Sequence, residues 1–233
     1  MHTLTPPFTL RGFRRGALGM APLVPGVVVY GVAFGVMAAA AGLTTIEAAL
    51  LSAMVNAGGA QMASLQAWDS PVPILAVGLT TLAMNSRYLL FGAALRPWFA
   101  GLPPHRSYPS LFVMGDVNWA LALREREAGR NDAAFLAGSG VVLWLAWVAS
   151  TALGQVFGRA LGDPARFGVD FMVAAFFATM AVTFLRKPGA LLPFAVGGAV
   201  AVAVEKLTQG PWYILAGAAA GSLAGALRHA DPA

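Results

Sequence analysis

The sequence predicts an all-α protein, a polytopic transmembrane helical bundle of about eight (seven to eight) spans with at least one broken helix. Three observations predict this fold class: an apolar composition, long stretches without charge, and a double glycine inside one of those stretches. Of the 233 residues, 58% are hydrophobic and only 11% are charged, whereas soluble domains carry about 25% charged residues. This is too little charge to cover the surface of a soluble fold.

Several uncharged stretches are long enough to cross a bilayer, whose hydrocarbon core of about 30 Å needs about 20 apolar residues of helix. These stretches and the helix breakers between them divide the chain into a segment 1–16, a single transmembrane domain 17–228 and a tail 229–233. Within the domain, spans are predicted at roughly 17–41, 46–67, 72–95, 108–123, 133–157, 167–185, 189–205 and 211–228. Span 108–123 is short and the turn Asp69–Pro73 is tight. If either is re-entrant, the count falls to seven and the carboxyl terminus moves outside.

Basic residues set the expected orientation, because cytoplasmic loops of membrane proteins carry an excess of Lys and Arg. A cytoplasmic amino terminus places nine basic residues inside, namely Arg11, Arg14, Arg15, Arg124, Arg126, Arg130, Arg186, Lys187 and Arg228. Five lie outside, namely Arg96, Arg106, Arg159, Arg166 and Lys206. The net charge of +5 is dispersed over these short loops, which argues against a nucleic acid partner and for a lipid bilayer.

A first polar island, Asn56 to Gln61, interrupts the second span with Gly58 and Gly59. Lipid does not tolerate exposed irregular backbone, so a break here is expected to be buried or to line a cavity. The N–H groups of the second half-helix would carry a positive partial charge and attract a carboxylate. The alternative is that the two glycines only permit close helix crossing while Asn56 and Gln61 bond neighbouring helices.

A second island contains Asn85, Arg87 and Tyr88, and a third contains Asp116 and Asn118. Arg87 lies deep in an apolar segment, where a charge normally faces the bundle or an aqueous cavity. Because arginine does not readily lose its proton, the expected roles are a carboxylate anchor or an ion pair. A static salt bridge between these two islands is the plain structural alternative.

Asp170, at the start of the sixth span, is the other embedded carboxylate, and a helix cap is its structural alternative. The three histidines lie in termini or a loop, so no catalytic Ser–His pair, metal site or cofactor is expected. An intramembrane aspartyl protease is a remote reading, because Val113 and Val169 stand where that motif needs glycine and tyrosine. The protein is therefore not expected to be an enzyme.

Glycines recur at four-residue spacing, which gives a helix a smooth face for close packing in lipid. The simpler interpretation is packing within the chain. The alternative is docking of a partner subunit, for which the last span, with three such glycines, is the candidate. The positions are Gly31 and Gly35; Gly154, Gly158 and Gly162; and Gly217, Gly221 and Gly225.

With these islands in place, the chain resembles the AzlC family, the large subunit of branched-chain amino acid exporters, over roughly residues 11–228. The Ala-Gly-Ala-Ser-Gln element of that family is similar to residues 57–61, and its Thr-x-x-x-Asn-x-Arg-His element is similar to residues 81–88, with Tyr88 replacing histidine. Its Thr-Asp-Glu element matches only at Asp116, and its Asp-Phe element matches at Asp170 and Phe171. Because the histidine and the glutamate of these elements are replaced in this sequence, Asp116 is the main candidate proton carrier.

The resemblance implies a bacterial inner-membrane transporter that exports branched-chain or other hydrophobic amino acids with proton coupling, together with a small AzlD-like membrane subunit. The residues of the three islands predict that different side chains bind the carboxylate and the ammonium group of a zwitterionic substrate. Its carboxylate is assigned to Asn56, Gly58, Gly59 and Gln61, its ammonium group to Asp116 and Asn118, and pocket shape to Asn85 and Tyr88, while Arg87 anchors the carboxylate or keeps Asp116 charged. Alternatives are a permease of different specificity and a scaffold subunit without transport activity.

Overall fold

The computed structural model describes residues 7–66, 68, 74–161, 189–208 and 212–229, and also 171, 174–175, 178–179, 181–182 and 185–186. Regular secondary structure in these residues is entirely helical, so the predicted all-α class is confirmed there. The helices are α1 (Leu10–Met20), continued by a 3₁₀ turn (Ala21–Leu23) into α2 (Val24–Ala40), α3 (Thr45–Val55), α4 (Gly58–Gln66), α5 (Ile74–Asn85), α6 (Arg87–Phe99), α7 (Pro104–Phe112), α8 (Asp116–Glu127), α9 (Ala134–Leu161), α10 (Leu191–Leu207) and α11 (Trp212–His229).

Two of the described helices are long and apolar enough to cross a membrane, namely Leu10–Ala40 with 31 residues and Ala134–Ala160 with 27 residues. At 1.5 Å per residue they are about 46 and 40 Å long, so both extend beyond a hydrocarbon core of about 30 Å. Several other predicted spans are divided into shorter helices, and the count of eight is therefore not established.

The chain forms two compact units. The first comprises Met1–Gln61 and Ser86–Pro164, and the second comprises Met62–Asn85 and Ala165–Ala233. Asn85 and Arg87, two residues apart in the sequence, therefore belong to different units. The predicted boundaries of a single transmembrane domain remain a prediction.

In the first unit, α1 and α2 lie beside α9 and run in the same direction. A Cβ added to Gly35 would collide with the carbonyl of Thr151, and one added to Gly154 would collide with the carbonyl of Val32. Backbone therefore touches backbone, which only glycine permits. The prediction of packing within the chain is confirmed for these glycines and for Gly31 and Gly158, while Gly162 lies outside the described residues.

The start of α9 is bound to the segment before α1. Ala133 N donates to Pro7 O at 3.0 Å, and Asp132 accepts from the N–H groups of Thr9 at 3.2 Å and Ala134 at 3.1 Å. Both helices thus begin at one end of the first unit, which we call the amino-terminal end.

Helix α6 runs towards the amino-terminal end. Trp98 Nε1, near the end of that helix, donates to Asn131 Oδ1 at 3.2 Å, just before α9 begins. The carbonyl of Ala94 accepts from Arg126 Nη1 at 2.8 Å. Arg96 lies between these contacts, so the prediction that places it on the opposite side from the amino terminus is wrong.

The segment predicted as span 108–123 is a re-entrant pair of helices. Helix α7 begins at the amino-terminal end, where the Arg106 guanidinium lies 5.4 Å from the centre of the Phe8 ring. The chain reverses at Val113–Gly115, where Gly140 is so close that an added Cβ would lie 2.6 Å from Val113 O. Helix α8 then returns to the same end, so a single span over 108–123 is wrong and Arg106, like Arg96, lies on the amino-terminal side.

In the second unit, α10 and α11 pack in antiparallel fashion through glycine. A Cβ on Gly197 would lie 2.9 Å from Gly217 O, and one on Gly221 would lie 2.9 Å from Pro193 O. Helix α10 thus covers the glycine face of α11 that is the predicted docking face for a partner. The prediction that a partner subunit docks on this face of α11 is therefore wrong. The existence of a small partner subunit stays a prediction.

Helix α8 is anchored at the amino-terminal end by Glu125, whose side chain is 7% exposed and pairs with Arg15 and, at 2.7 Å, with Arg130. Burial alone would raise the pKa of Glu125, but the hydrogen bond and charge of Arg130, together with Arg15, lower this pKa below its usual value of 4.5. A lowered carboxyl pKa contributes stability that is present above the unfolded-state pKa and lost as the pH falls through the folded-state pKa.

Glu125→Gln is therefore expected to lower the free energy of unfolding by about 1–3 kcal/mol near pH 7. The difference from wild type should shrink below about pH 4.5, since protonation removes the same charge. Thermal unfolding of the purified wild type and variant between pH 4 and 8 measures this difference in stability. Glu127→Gln, which removes an exposed carboxylate from the same helix, is the control. A difference that is constant over this range would contradict the charge assignment.

Candidate functional site

The second predicted span is broken between α3 and α4. Helix α3 starts with a capping box, in which Thr44 N donates to Glu47 Oε2 at 2.7 Å and Glu47 N donates to Thr44 Oγ1 at 3.2 Å. It ends at Asn56, whose φ of 45° and ψ of 37° are left-handed, a conformation that asparagine tolerates better than most residues. The predicted break is confirmed, although the two glycines form the first turn of α4 and the break itself precedes them.

Gln61 and Trp147 hold this break in shape. Gln61 is fully buried; its Oε1 accepts from Trp147 Nε1 at 3.0 Å and its Nε2 donates to Ser52 Oγ at 3.1 Å. A continuous helix would separate Ser52 and Gln61 by about 13.5 Å along its axis, so this bond requires a sharp turn. With both polar groups bonded, Gln61 supports the break, and its predicted contact with a substrate stays a prediction.

Hydrogen-bond donors remain free at the turn. Among the described residues, the N–H groups of Gly58 and Gly59 have no acceptor, and neither does the buried Nδ2 of Asn56. A Cβ on Gly58 would lie 2.7 Å from Trp147 Cη2, so glycine is needed for the close approach of this ring. The break thus presents donors without partners, as the sequence predicts.

Two further helix starts meet this turn. Tyr88, in the first turn of α6, donates from its hydroxyl to Asn56 O at 3.4 Å. Gly115, the extended residue before α8, is near the same carbonyl, 3.9 Å from an added Cβ. The three polar islands of the sequence are therefore all at helix interruptions, and residues from each meet at Asn56.

Arg87 and Asp116 are the first residues of α6 and α8, and they form an ion pair. Arg87 Nη2 lies 2.9 Å from Asp116 Oδ2, with side chains 23% and 41% exposed. The contact is incomplete, because neither Nη2 nor Nε of Arg87 makes a hydrogen bond of good geometry in the described structure. Of the two predicted roles for Arg87, the structure contains the pairing with Asp116.

Asn118 caps α8 from within. Its Oδ1 accepts from Gly115 N at 2.7 Å, and its Nδ2 donates to Val113 O at 3.3 Å and Leu136 O at 3.4 Å. The residue is completely buried, so it orients Asp116 through the helix start. Its predicted contact with a substrate ammonium group stays a prediction.

The predicted roles of Asn85 and Asp170 stay predictions. Asn85 ends α5 in the second unit, where its Oδ1 has no partner among the described residues. Asp170 lies outside the described residues. No group of three or more His, Cys, Asp or Glu side chains occurs in the described part of the chain, which offers no metal centre there.

The cluster lies beside the middle of α9. Gly58 contacts Trp147 and Gly115 contacts Leu143, and both side chains are near the centre of this 28-residue helix. Irregular backbone at such depth is tolerated when it is enclosed in protein. Trp147, which also stacks on Phe34 with ring centres 6.0 Å apart, was not predicted as a site residue. A tryptophan far from the interfaces where this residue is usually enriched was the signal for it.

Comparison with known proteins gives consistent matches. A family model described as AzlC protein matches residues 22–161. An uncharacterized membrane protein of Archaeoglobus fulgidus is 28% identical over 91% of this chain and 93% of its own length. Inner membrane protein YgaZ of Escherichia coli is 27% identical, covering 91% and 88%, and branched-chain amino acid transport protein AzlC of Bacillus subtilis is 24% identical, covering 67% and 61%. No solved structure matches significantly.

Proposed function

This chain belongs to the AzlC protein family, a transport-related family of membrane proteins, and from that premise we propose that it exports branched-chain or other hydrophobic amino acids across the plasma membrane. Support for the substrate class comes from the Bacillus subtilis relative, which is named as a branched-chain amino acid transport protein. Support for transport comes from the position of the site, because transporters bind their substrates near the bilayer midplane at interrupted helices.

The observation that carries the proposal is the incomplete ion pair between Arg87 and Asp116 beside free backbone donors. An amino acid substrate has one carboxylate and one ammonium group. The carboxylate can replace Asp116 as the partner of Arg87, and the ammonium group can replace Arg87 as the partner of Asp116. The carboxylate accepts from the free N–H groups of Gly58 and Gly59 and from Arg87, with Asn56 Nδ2 adding a further donor. The ammonium group binds Asp116, whose carboxylate is the more exposed member of the pair.

Proton coupling is proposed for Asp116, with Asp170 as a second carrier. A carboxylate exchanges protons far more readily than a guanidinium group does, so Asp116 is the proposed carrier of the pair. A substrate ammonium group favours the charged carboxylate and its departure favours protonation, which links substrate release to proton uptake.

The proposed orientation has the amino terminus in the cytoplasm of a bacterial cell. Arg96 and Arg106 join Arg11, Arg14 and Arg15 at the amino-terminal end of the first unit, which strengthens the excess of positive charge expected on the cytoplasmic side. We also propose a small hydrophobic AzlD-like subunit as partner, on the family resemblance alone.

Efflux from proteoliposomes tests the proposal. Vesicles loaded with labelled leucine, and in parallel with isopentylamine or 4-methyl-2-oxopentanoate, are diluted with and without a pH gradient. Faster efflux of leucine than of either one-charge analogue, accelerated by the gradient, is expected. Preference for an analogue would favour a permease of different specificity, and flux seen only after adding the small subunit would favour a scaffold role for this chain.

Tyr88→Phe is expected to change leucine efflux only about two- to threefold. The lost hydrogen bond to Asn56 O is long, and a neutral hydrogen bond contributes about 0.5–1.5 kcal/mol. The packing of the ring edge-on to Phe91, with centres 5.4 Å apart, is retained. Initial efflux rates against Tyr213→Phe in α11 measure the effect, and a loss beyond tenfold would mean that the hydroxyl contacts the substrate directly.

A further inference from the structure

A cleft of about 640 Å³ lies in the first unit, away from the Arg87–Asp116 pair. It is bounded by the segment before α1, by α7 and by the first half of α9. Its floor is almost entirely apolar and includes Phe8, Phe13, Phe112, Val113 and Val141. The proposed transport function makes no use of this cleft.

One part of the cleft rim is cationic. His105 and Arg106 line it, both exposed, and no acidic side chain among the described residues does. The Arg106 guanidinium lies over the Phe8 ring but forms no ion pair within the described residues. An unneutralised arginine at the rim of an apolar cleft favours a ligand that has an anionic group and an apolar tail.

The depth of the cleft also fits such a ligand. Phe8, at its edge, precedes a helical stretch about 46 Å long, which is longer than a hydrocarbon core of about 30 Å. Basic residues in the first turns of that stretch favour a position of its amino-terminal end in the headgroup region. Arg11 and Arg14 are exposed at this end. Basic pockets between membrane helices on the cytoplasmic side bind acidic lipid headgroups.

We propose that this cleft binds one anionic phospholipid. The phosphate group pairs with Arg106, helped by His105, and an acyl chain lies along Phe13, Val113 and Val141. Because α7 forms one wall, the bound lipid supports the re-entrant pair whose turn precedes Asp116. The site makes no use of a residue that contacts the amino acid in the transport proposal, but it rests on the orientation proposed there, with the amino terminus in the cytoplasm.

The test is lipid retention by the full chain purified in detergent and incubated with phosphatidylglycerol or phosphatidylcholine, measured by native mass spectrometry together with thermal unfolding. One retained phosphatidylglycerol per chain, at least tenfold preferred over phosphatidylcholine, is expected. Arg106→Gln should abolish the preference, while Arg159→Gln, at the far end of α9, should not.

A second pair of variants tests the apolar part. Val141→Trp fills the cleft, whereas Leu145→Trp, one turn along α9 and 54% exposed, leaves it open. Loss of retention and of lipid-dependent stabilisation only for Val141→Trp is expected, and Arg106→Gln remains informative if that variant does not fold. Equal binding of the two lipids, or equal displacement by inorganic phosphate alone, would overturn the proposal.

Discussion

Asp116→Asn is expected to reduce leucine efflux about 30-fold or more while leaving the protein folded. The substitution keeps the shape of the side chain but removes the negative charge that faces Arg87 at 2.9 Å. A hydrogen bond to a charged group contributes about 1.5–3 kcal/mol, and 1.36 kcal/mol corresponds to a tenfold change in rate. The proton carrier is lost as well, so the remaining efflux should no longer respond to a pH gradient. Initial rates in proteoliposomes measure both effects.

A double substitution separates a structural ion pair from a substrate site. Arg87→Gln with Asp116→Asn removes both charges and leaves neither one unpaired. If the pair only stabilises the fold, the double variant regains thermal stability and transport together. We expect it to regain stability alone, and wild-type efflux in either the double variant or Asp116→Asn would refute the assignment. Glu127→Gln, at the far end of α8, is the control for charge removal on this helix.

Gly58→Leu is expected to abolish efflux and to lower the thermal unfolding temperature by several degrees. Even the first carbon of the new side chain would lie 2.7 Å from Trp147 Cη2, and that ring is fixed by its bond to Gln61. Overpacking of this kind costs about 1–3 kcal/mol, and loss of the Trp147–Gln61 bond adds to it. The free N–H groups of the first turn of α4 would also be displaced from the position at which we propose that they bind a carboxylate.

Gly92→Leu is the matched control, because a Cβ there meets no atom within 4 Å. Efflux and unfolding temperature are measured for both variants in the same membrane preparation. Retention of wild-type efflux by Gly58→Leu would contradict the role of the break. Comparable loss in Gly92→Leu would mean that leucine disturbs any helix of this unit, and the site assignment would lose its support.

The sequence predicted the helical class and the break between α3 and α4 better than it predicted the course of the chain. Gaps between charges report which residues avoid water, so they indicate long apolar helices such as α9 correctly. They carry no information about where the chain reverses its direction within such a stretch. Pro109 and Gly115 were the local signals for the interruption at Val113–Gly115, and the placement of Arg96 and Arg106 failed with it.

The polar islands were recognisable because unpaired polar groups are costly in lipid, so Arg87 required a partner and Asp116 was one of few available. The supporting residues were harder to predict. Gln61 and Asn118 bear the same amide group as substrate-binding residues, and only the positions of Ser52, Trp147 and Leu136 reveal that their hydrogen bonds are already made. These partners are distant in sequence and known only from tertiary structure.

The main-chain contact between α2 and α9 has a consequence for the transport cycle. Where the carbonyl of Thr151 touches Gly35, no flexible side chains lie between the helices to absorb sliding or rotation. We therefore expect these two helices to move as one rigid body. The start of α4 is packed against this body through Trp147 of α9. In the first unit, we therefore expect the proposed amino acid site to open by bending at the starts of α6 and α8, where Arg87 and Asp116 lie.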